Sequence, residues 1–298
     1  MSVREGTAPG FDARLSKGWL LANKWLLSRR LVQISILLLF LAGPWWGIWL
    51  VKGNLNSSLT LDLLPLTDPF IALQSLLAGN WPKTEMLLGA IIVVAVYALI
   101  GGRVYCSWVC PINPISDLAH WMRGRLNIKG GAHISPNTRY WLVAVILILS
   151  VISGTVVWEL VNPVSMLHRG LIFGIGSAWT FVLAVFLFEL LIARHGWCGK
   201  LCPVGAFYNL LGRRSLLVIR AAKRNECDDC MDCFSVCPEP KVLKPMLKGA
   251  ASNLSDIAPS PCTHCARCID VCNRDVFKFD SRYHGSLHKS GFPAGTEV

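Results

Sequence analysis

The stretch Cys227-Asp228-Asp229-Cys230-Met231-Asp232-Cys233-Phe234-Ser235-Val236-Cys237-Pro238 sets four cysteines in eleven residues and closes on a proline. The spacing returns at Cys262, Cys265, Cys268 and Cys272, where Asn273 stands in the proline position. Two runs of C-x2-C-x2-C-x3-C are the pattern that holds a pair of [4Fe–4S] clusters: three close thiolates wrap one cubane, and the fourth reaches the other. Cys227, Cys230, Cys233 and Cys272 are therefore expected to hold one cluster, and Cys262, Cys265, Cys268 and Cys237 the second. Structural zinc sites use paired C-x2-C arms instead. His264, inside the second run, reads as a loop side chain.

Upstream of these runs the chain changes character. Of 298 residues, 53% are hydrophobic and only 16% charged, and the mean hydropathy is +0.47. That balance belongs to a membrane protein rather than a soluble domain. Four apolar stretches stand out: Leu31–Val51, Met86–Gly102, Trp141–Trp158 and Leu171–Ile192. Each approaches the 20 or so residues that a helix needs to cross about 30 Å of hydrocarbon. The Lys and Arg residues number six in 1–30, five in 103–140 and fifteen in 193–298, against two in 52–85 and one in 159–170. The positive-inside rule then puts both termini and the middle loop in the cytoplasm of a bacterial inner membrane. The net charge of +11 needs no nucleic-acid partner; its partner is membrane lipid. Ser28-Arg29-Arg30 reads as the basic flank of a retained helix, since no cleavage site follows the first span.

The remaining four of the twelve cysteines form a repeat. Cys106-Ser107-Trp108-Val109-Cys110-Pro111 follows the second span, and Cys198-Gly199-Lys200-Leu201-Cys202-Pro203 follows the fourth. Asp68-Pro69 and Asn162-Pro163 recur in the corresponding outer loops. A unit with an even number of spans keeps its orientation, so the halves are expected to face each other across an axis along the membrane normal. Two thiols do not complete a cubane, but four brought together by that axis would. A third [4Fe–4S] cluster on Cys106, Cys110, Cys198 and Cys202 is the leading expectation, with redox-active dithiols as its rival. The expected fold is membrane all-α: four transmembrane helices as a two-fold repeat of two-helix units (31–220). A cytoplasmic segment (1–30) precedes it, and a small α+β two-[4Fe–4S] ferredoxin-like domain (221–298) follows.

Together these features resemble the NapH family, the ferredoxin-type membrane subunit of the quinol dehydrogenase that serves periplasmic nitrate reductase. The resemblance rests on Gly43-Pro44-Trp45, Pro65-Leu66-Thr67-Asp68-Pro69, the two C-x3-C-P motifs, His195-Gly196-Trp197-Cys198 and Cys230-Met231-Asp232-Cys233-Phe234. The paralogous MauN type shares this plan. The resemblance implies quinol oxidation, a NapG-like iron–sulfur partner and a NapC-like membrane cytochrome on the way to nitrate reductase. That acceptor lies across the membrane from where the charge count puts the clusters. A quinol site needs proton acceptors in an apolar pocket, and Glu189 in the fourth span and His168 and Gln74 in the outer loops are the candidates. Two other readings stay open: a membrane redox or metal-handling assembly factor using the C-x3-C-P thiols, and a passive anchor for partner subunits. No P-loop, GxGxxG or Ser/His/Asp arrangement supports a nucleotide or hydrolase reading.

Overall fold

The computed structural model describes residues 8–283 except 129, 175, 247–256 and 258–259. Residues 1–7 of the expected N-terminal segment and 284–298 of the expected ferredoxin-like domain lie outside the described residues. After the short helix α1 (Phe11–Lys17), α2 (Lys24–Trp46) runs for 23 residues. Its start is capped from far away, because the Asp270 carboxylate accepts hydrogen bonds from the amides of Trp25 (3.2 Å) and Leu26 (2.9 Å). Its end is set by Gly47, whose left-handed backbone (φ 74°) suits a residue without a Cβ.

The segment between the first two apolar stretches contains more than a loop. Strands β1 (Val51–Gly53), β2 (Ser57–Thr60) and β3 (Leu64–Thr67) form an antiparallel sheet in that order. Helix α3 (Pro69–Leu77) follows directly, and then α4 (Thr84–Ile100), α5 (Val104–Trp108) and α6 (Ile112–Arg125). The second half repeats the order with α7 (Thr138–Ser153), α8 (Val157–Val161), α9 (Pro163–Phe173), α10 (Gly176–Leu187) and α11 (Pro203–Leu211). Two π-helical turns, Phe188–Ile192 and Trp197–Leu201, lie between α10 and α11.

Among the described residues, one helix, Leu21–Trp46, is long and apolar enough to cross a membrane; Thr84–Ile100, Thr138–Ser153 and Ala178–Ile192 are apolar but shorter. The fourth apolar stretch is not one helix. α9 ends at Phe173, Gly174 turns into the left-handed region (φ 64°), and α10 starts afresh. The sequence pattern merged them because both pieces are apolar. The two halves meet backbone to backbone: a Cβ on Gly102 would stand 1.7 Å from the carbonyl oxygen of Tyr208, so only glycine fits there.

The C-terminal unit is a two-stranded antiparallel sheet, β4 (Leu217–Ala221) on β5 (Phe277–Ser281), with the short helices α12 (Asp232–Val236) and α13 (Arg267–Val271) packed on each other. β4 begins four residues before position 221, so the sheet starts upstream of the boundary that composition suggests. This unit is docked on the helical part. Ser107 Oγ donates to the Thr263 carbonyl (2.6 Å), Trp108 Nε1 to that of His264 (3.1 Å), and the Leu216 amide to that of Leu99 (2.8 Å).

Candidate iron–sulfur centres

The two C-x2-C-x2-C-x3-C runs adopt one backbone. In each, the residue before the second cysteine and the residue after it are left-handed: Asp229 (φ 53°) and Met231 (φ 64°), then His264 (φ 51°) and Ala266 (φ 57°). None of these is glycine, so the strain is held by surrounding structure, as happens where a chain must wrap a compact object. The third cysteine then sits in a five-residue helix, and the fourth ends it in extended backbone at Cys237 and Cys272. Packing of α12 on α13 exchanges the fourth cysteines. Cys237 lines one cavity with Cys262, Cys265 and Cys268. Cys272 joins Cys227 and Cys230 as the cysteines whose charge acts on Cys233.

A third constellation forms where the halves meet. Cys106, Cys110, Cys198 and Cys202 line one cavity, with Tyr105, Trp158 and Trp197 among its walls. Four helices begin at this cavity: α3 at Asp68, α6 just after Cys110-Pro111, α9 at Asn162-Pro163 and α11 at Cys202-Pro203. Proline in the first turn fits the helix start, because its missing N–H would have no partner there. The side-chain oxygens of Asp68 and Asn162 accept from the Phe70 amide (2.9 Å) and the Val164 amide (3.0 Å). The recurring Pro thus has a physical purpose: it starts helices whose positive ends converge on one point, a setting for an anionic centre.

The surroundings fit iron–sulfur clusters. Burial pushes Cys230 up to about 11 and Cys202, Cys233 and Cys262 up to about 12, so such thiols ionise together only when metal charge compensates them. Burial also opposes ionisation of Cys265, but Arg267 and then Arg29 outweigh it and hold that thiol below its ordinary value. The Arg29 guanidinium is fully buried and none of its three nitrogens has a partner among the described residues. Among the described residues, no three His, Cys, Asp or Glu side chains close around a single ion.

One side chain ties the third constellation to the second. Arg103 (1% exposed) donates to the Cys198 carbonyl (3.1 Å), to the Pro261 carbonyl beside Cys262 (3.0 Å) and to Glu239 (3.2 Å), two residues after Cys237. Arg139 reaches the same Glu239 oxygen (3.1 Å) and the Gly199 carbonyl (3.0 Å).

A family model described as a 4Fe-4S binding domain matches residues 83–129 and 174–224, the two segments that carry the C-x3-C-P motifs. The ferredoxin-type protein NapH of Escherichia coli (strain K12) is 47% identical over 92% of this chain and 95% of its own. The chain belongs to the NapH family. The methylamine utilization ferredoxin-type protein MauN of Methylorubrum extorquens is similarly close, 50% identical over 90% of this chain and 92% of its own. The putative electron transport protein YccM of E. coli is 25% identical over 90% and 76%. No solved structure matches.

In this NapH-family chain the three candidate quinol residues are not brought together. Gln74 is fully buried and occupied: its Oε1 accepts from Ser150 Oγ (3.2 Å) and the Trp158 amide (3.0 Å), tying α3 to α7 and α8. His168 lies in α9 edge-on to Phe40, with ring centroids 6.1 Å apart. Glu189 does not pair with Arg194, which reaches His120 and the Ser235 carbonyl instead. Its carboxylate accepts from the amides of Trp197 (3.1 Å) and Cys198 (3.3 Å), holding the first C-x3-C-P cysteine of that half in place. Sequence reasoning missed Arg29, Arg103 and Glu239, which surround the centres; their burial has no signature in spacing.

Proposed function

We propose that this chain is an integral inner-membrane electron-transfer subunit of a quinol dehydrogenase, taking electrons from quinol and passing them towards periplasmic nitrate reductase. The observation that carries this is the convergence of four cysteines and four helix starts on one cavity, joined through Arg103 to the second cysteine set. Cys106, Cys110, Cys198 and Cys202 hold one [4Fe–4S] cluster where the starts of α3 and α9, which follow the outer loops, meet the two C-x3-C-P motifs. Cys237, Cys262, Cys265 and Cys268 hold the second, and Cys227, Cys230, Cys233 and Cys272 the third. The clusters supply one-electron acceptors in series. The chain fixes their positions, surrounds them with buried positive charge from Arg29, Arg103 and Arg267, and walls the membrane-face cavity with aromatic rings.

Four membrane-crossing helices with cytoplasmic termini are part of this reading. Its support is the band of exposed apolar side chains on all four apolar helices, including Leu31, Ile91, Ile148, Ile152, Leu183 and Leu191. Dithiol chemistry at the C-x3-C-P motifs is disfavoured, since the two cysteines of each motif line one common cavity with those of the other. The choice of the nitrate system over methylamine oxidation rests on coverage: the chain spans 95% and 96% of two NapH relatives and 82–92% of three MauN relatives. A NapG-like iron–sulfur protein and a NapC-like cytochrome are the partners this reading calls for. The test is anaerobic reduction of the purified chain by duroquinol, followed by the loss of cluster absorbance. Reduction supports the reading; clusters that dithionite reduces and duroquinol does not would overturn it.

A further inference from the structure

We infer that the end of α4 and the seam beside it form a site for an anionic phospholipid, whose phosphate is held by Arg213, Arg214 and Arg282. The inference rests on the membrane-crossing reading above. It starts from a close approach of two backbones. Helix α4 is apolar to its last turn, where Leu99 (54% exposed) and Ile100 (44% exposed) stay uncovered. It stops at Gly101-Gly102, and a Cβ on Gly102 would stand 2.7 Å from the Gly212 amide nitrogen. Contact this tight fixes the turn Gly212–Arg214, which follows α11, against the end of α4. Ser215 is fully buried, and the Leu216 amide donates to the Leu99 carbonyl (2.8 Å). The Arg282 amide in turn donates to the Leu216 carbonyl (2.7 Å).

Three arginines are thus brought to the last turn of an apolar helix. Arg213 and Arg214 are exposed and Arg282 is half-buried. Among the described residues none of these three guanidinium groups pairs with a carboxylate, whereas Arg30, Arg103, Arg139, Arg220 and Arg267 all do. The neighbouring sequence offers no acid, since none occurs between Glu85 and Asp117 or between Glu189 and Glu226. Positive charge without a counter-charge, set beside uncovered leucine and isoleucine side chains, matches an amphiphile with an anionic head. The guanidinium fork fits phosphate oxygens, and Leu99, Ile100 and Leu216 offer apolar contact to an acyl chain.

The site straddles the seam between the two parts of the chain. Leu99, Arg213 and Arg214 belong to the helical part, while Leu216 and Arg282 flank the β4–β5 sheet of the ferredoxin-like unit. One bound phosphate screens three like charges and contacts both parts, so the lipid strengthens docking of the cluster-bearing unit.

The test uses the full chain, purified anaerobically in detergent with its iron, beside the triple variant Arg213→Gln, Arg214→Gln, Arg282→Gln and beside Arg214→Gln alone. Dioleoyl phosphatidylglycerol or dioleoyl phosphatidylcholine is added, and bound lipid is counted by native mass spectrometry. Hydrogen–deuterium exchange of residues 210–217 reads the seam in the same samples. Wild type should bind phosphatidylglycerol at least about tenfold more tightly than phosphatidylcholine, with about fivefold lost per arginine removed. Phosphatidylglycerol should slow exchange at 210–217 in wild type and leave the triple variant unchanged. If the triple variant loses iron, Arg214→Gln decides, and its fivefold loss is the expected result. Equal affinity for the two lipids, or a preference that survives the substitutions, overturns the site and leaves the membrane reading standing. Excess inorganic phosphate that slows exchange as much as the lipid makes this a free-anion site and also overturns it. A chain that retains neither lipid and stays dispersed without detergent removes the membrane reading as well.

Discussion

Replacing Glu239 by alanine should loosen the ferredoxin-like unit from the helical part, and the structure gives the size of the effect. Arg103 and Arg139 both direct a guanidinium at Glu239 Oε1, with side chains 1% and 5% exposed against 14% for the acid. Removing the acid leaves two buried cations without a counter-charge, and breaking a buried pair costs about 3–5 kcal/mol. The lower end applies, because Arg103 keeps the Pro261 and Cys198 carbonyls and Arg139 keeps that of Gly199. A loss of about 3 kcal/mol multiplies the undocked population by about 150, at 1.4 kcal/mol per tenfold. Hydrogen–deuterium exchange of peptides covering 215–221 and 262–272 reads that population, since their amides and carbonyls form the seam with Leu99, Ser107 and Trp108. Iron is counted in the same samples, as Glu239 also lines the second cysteine cavity. Exchange within about threefold of wild type, with iron retained, would refute the claim that this triad holds the units together.

Arg29→Gln removes a buried cation that acts on Cys265, so the centre held by Cys237, Cys262, Cys265 and Cys268 should become harder to reduce by tens of millivolts. A redox titration followed by electron paramagnetic resonance measures this, and an unchanged potential would contradict it. Burial, then Arg194 and Arg267, push His120 down to about 4, while burial, then Arg267 and His120 itself, depress His195, whose ring lies 4.7 Å away. An unfolded histidine binds its proton near pH 6.5, so the folded state binds fewer protons between pH 6.5 and 4 and loses stability as pH falls through that window. Thermal unfolding at pH 5 and pH 7.5 should show the loss, and His120→Gln should reduce it.

The cysteine spacing carried the ferredoxin-like unit in the sequence, because a cubane imposes its own intervals: Cys227 to Cys237 and Cys262 to Cys272 could be grouped before any fold was known. The recurrence of Asp68-Pro69 and Asn162-Pro163 was equally legible as a repeat, yet its meaning was not. Only tertiary packing brings the starts of α3 and α9 to the same cavity as the C-x3-C-P cysteines. The break at Gly174 was hidden because apolar side chains lie on both sides of it. Arg29 shows the limit of charge counting. As a basic flank it fits the membrane rule, but the docked unit buries it completely beside Arg267 and Cys265. Glu189 was legible as an intramembrane acid worth attention, while its occupation by the amides of Trp197 and Cys198 depends on the π-helical turns that a 3.6-residue period does not reveal.

The claim that the repeat builds a cluster site is tested most directly by counting iron and acid-labile sulfide per chain in anaerobically purified protein, wild type beside Cys106→Ser. Three [4Fe–4S] centres require about 12 iron atoms in the wild type and about 8 in the variant. Cys198→Ser should give the same lower count, and the double variant no less, since the four ligands act as a unit. A wild-type count of about 8 that neither substitution changes would contradict the account and leave the two ferredoxin-type centres alone.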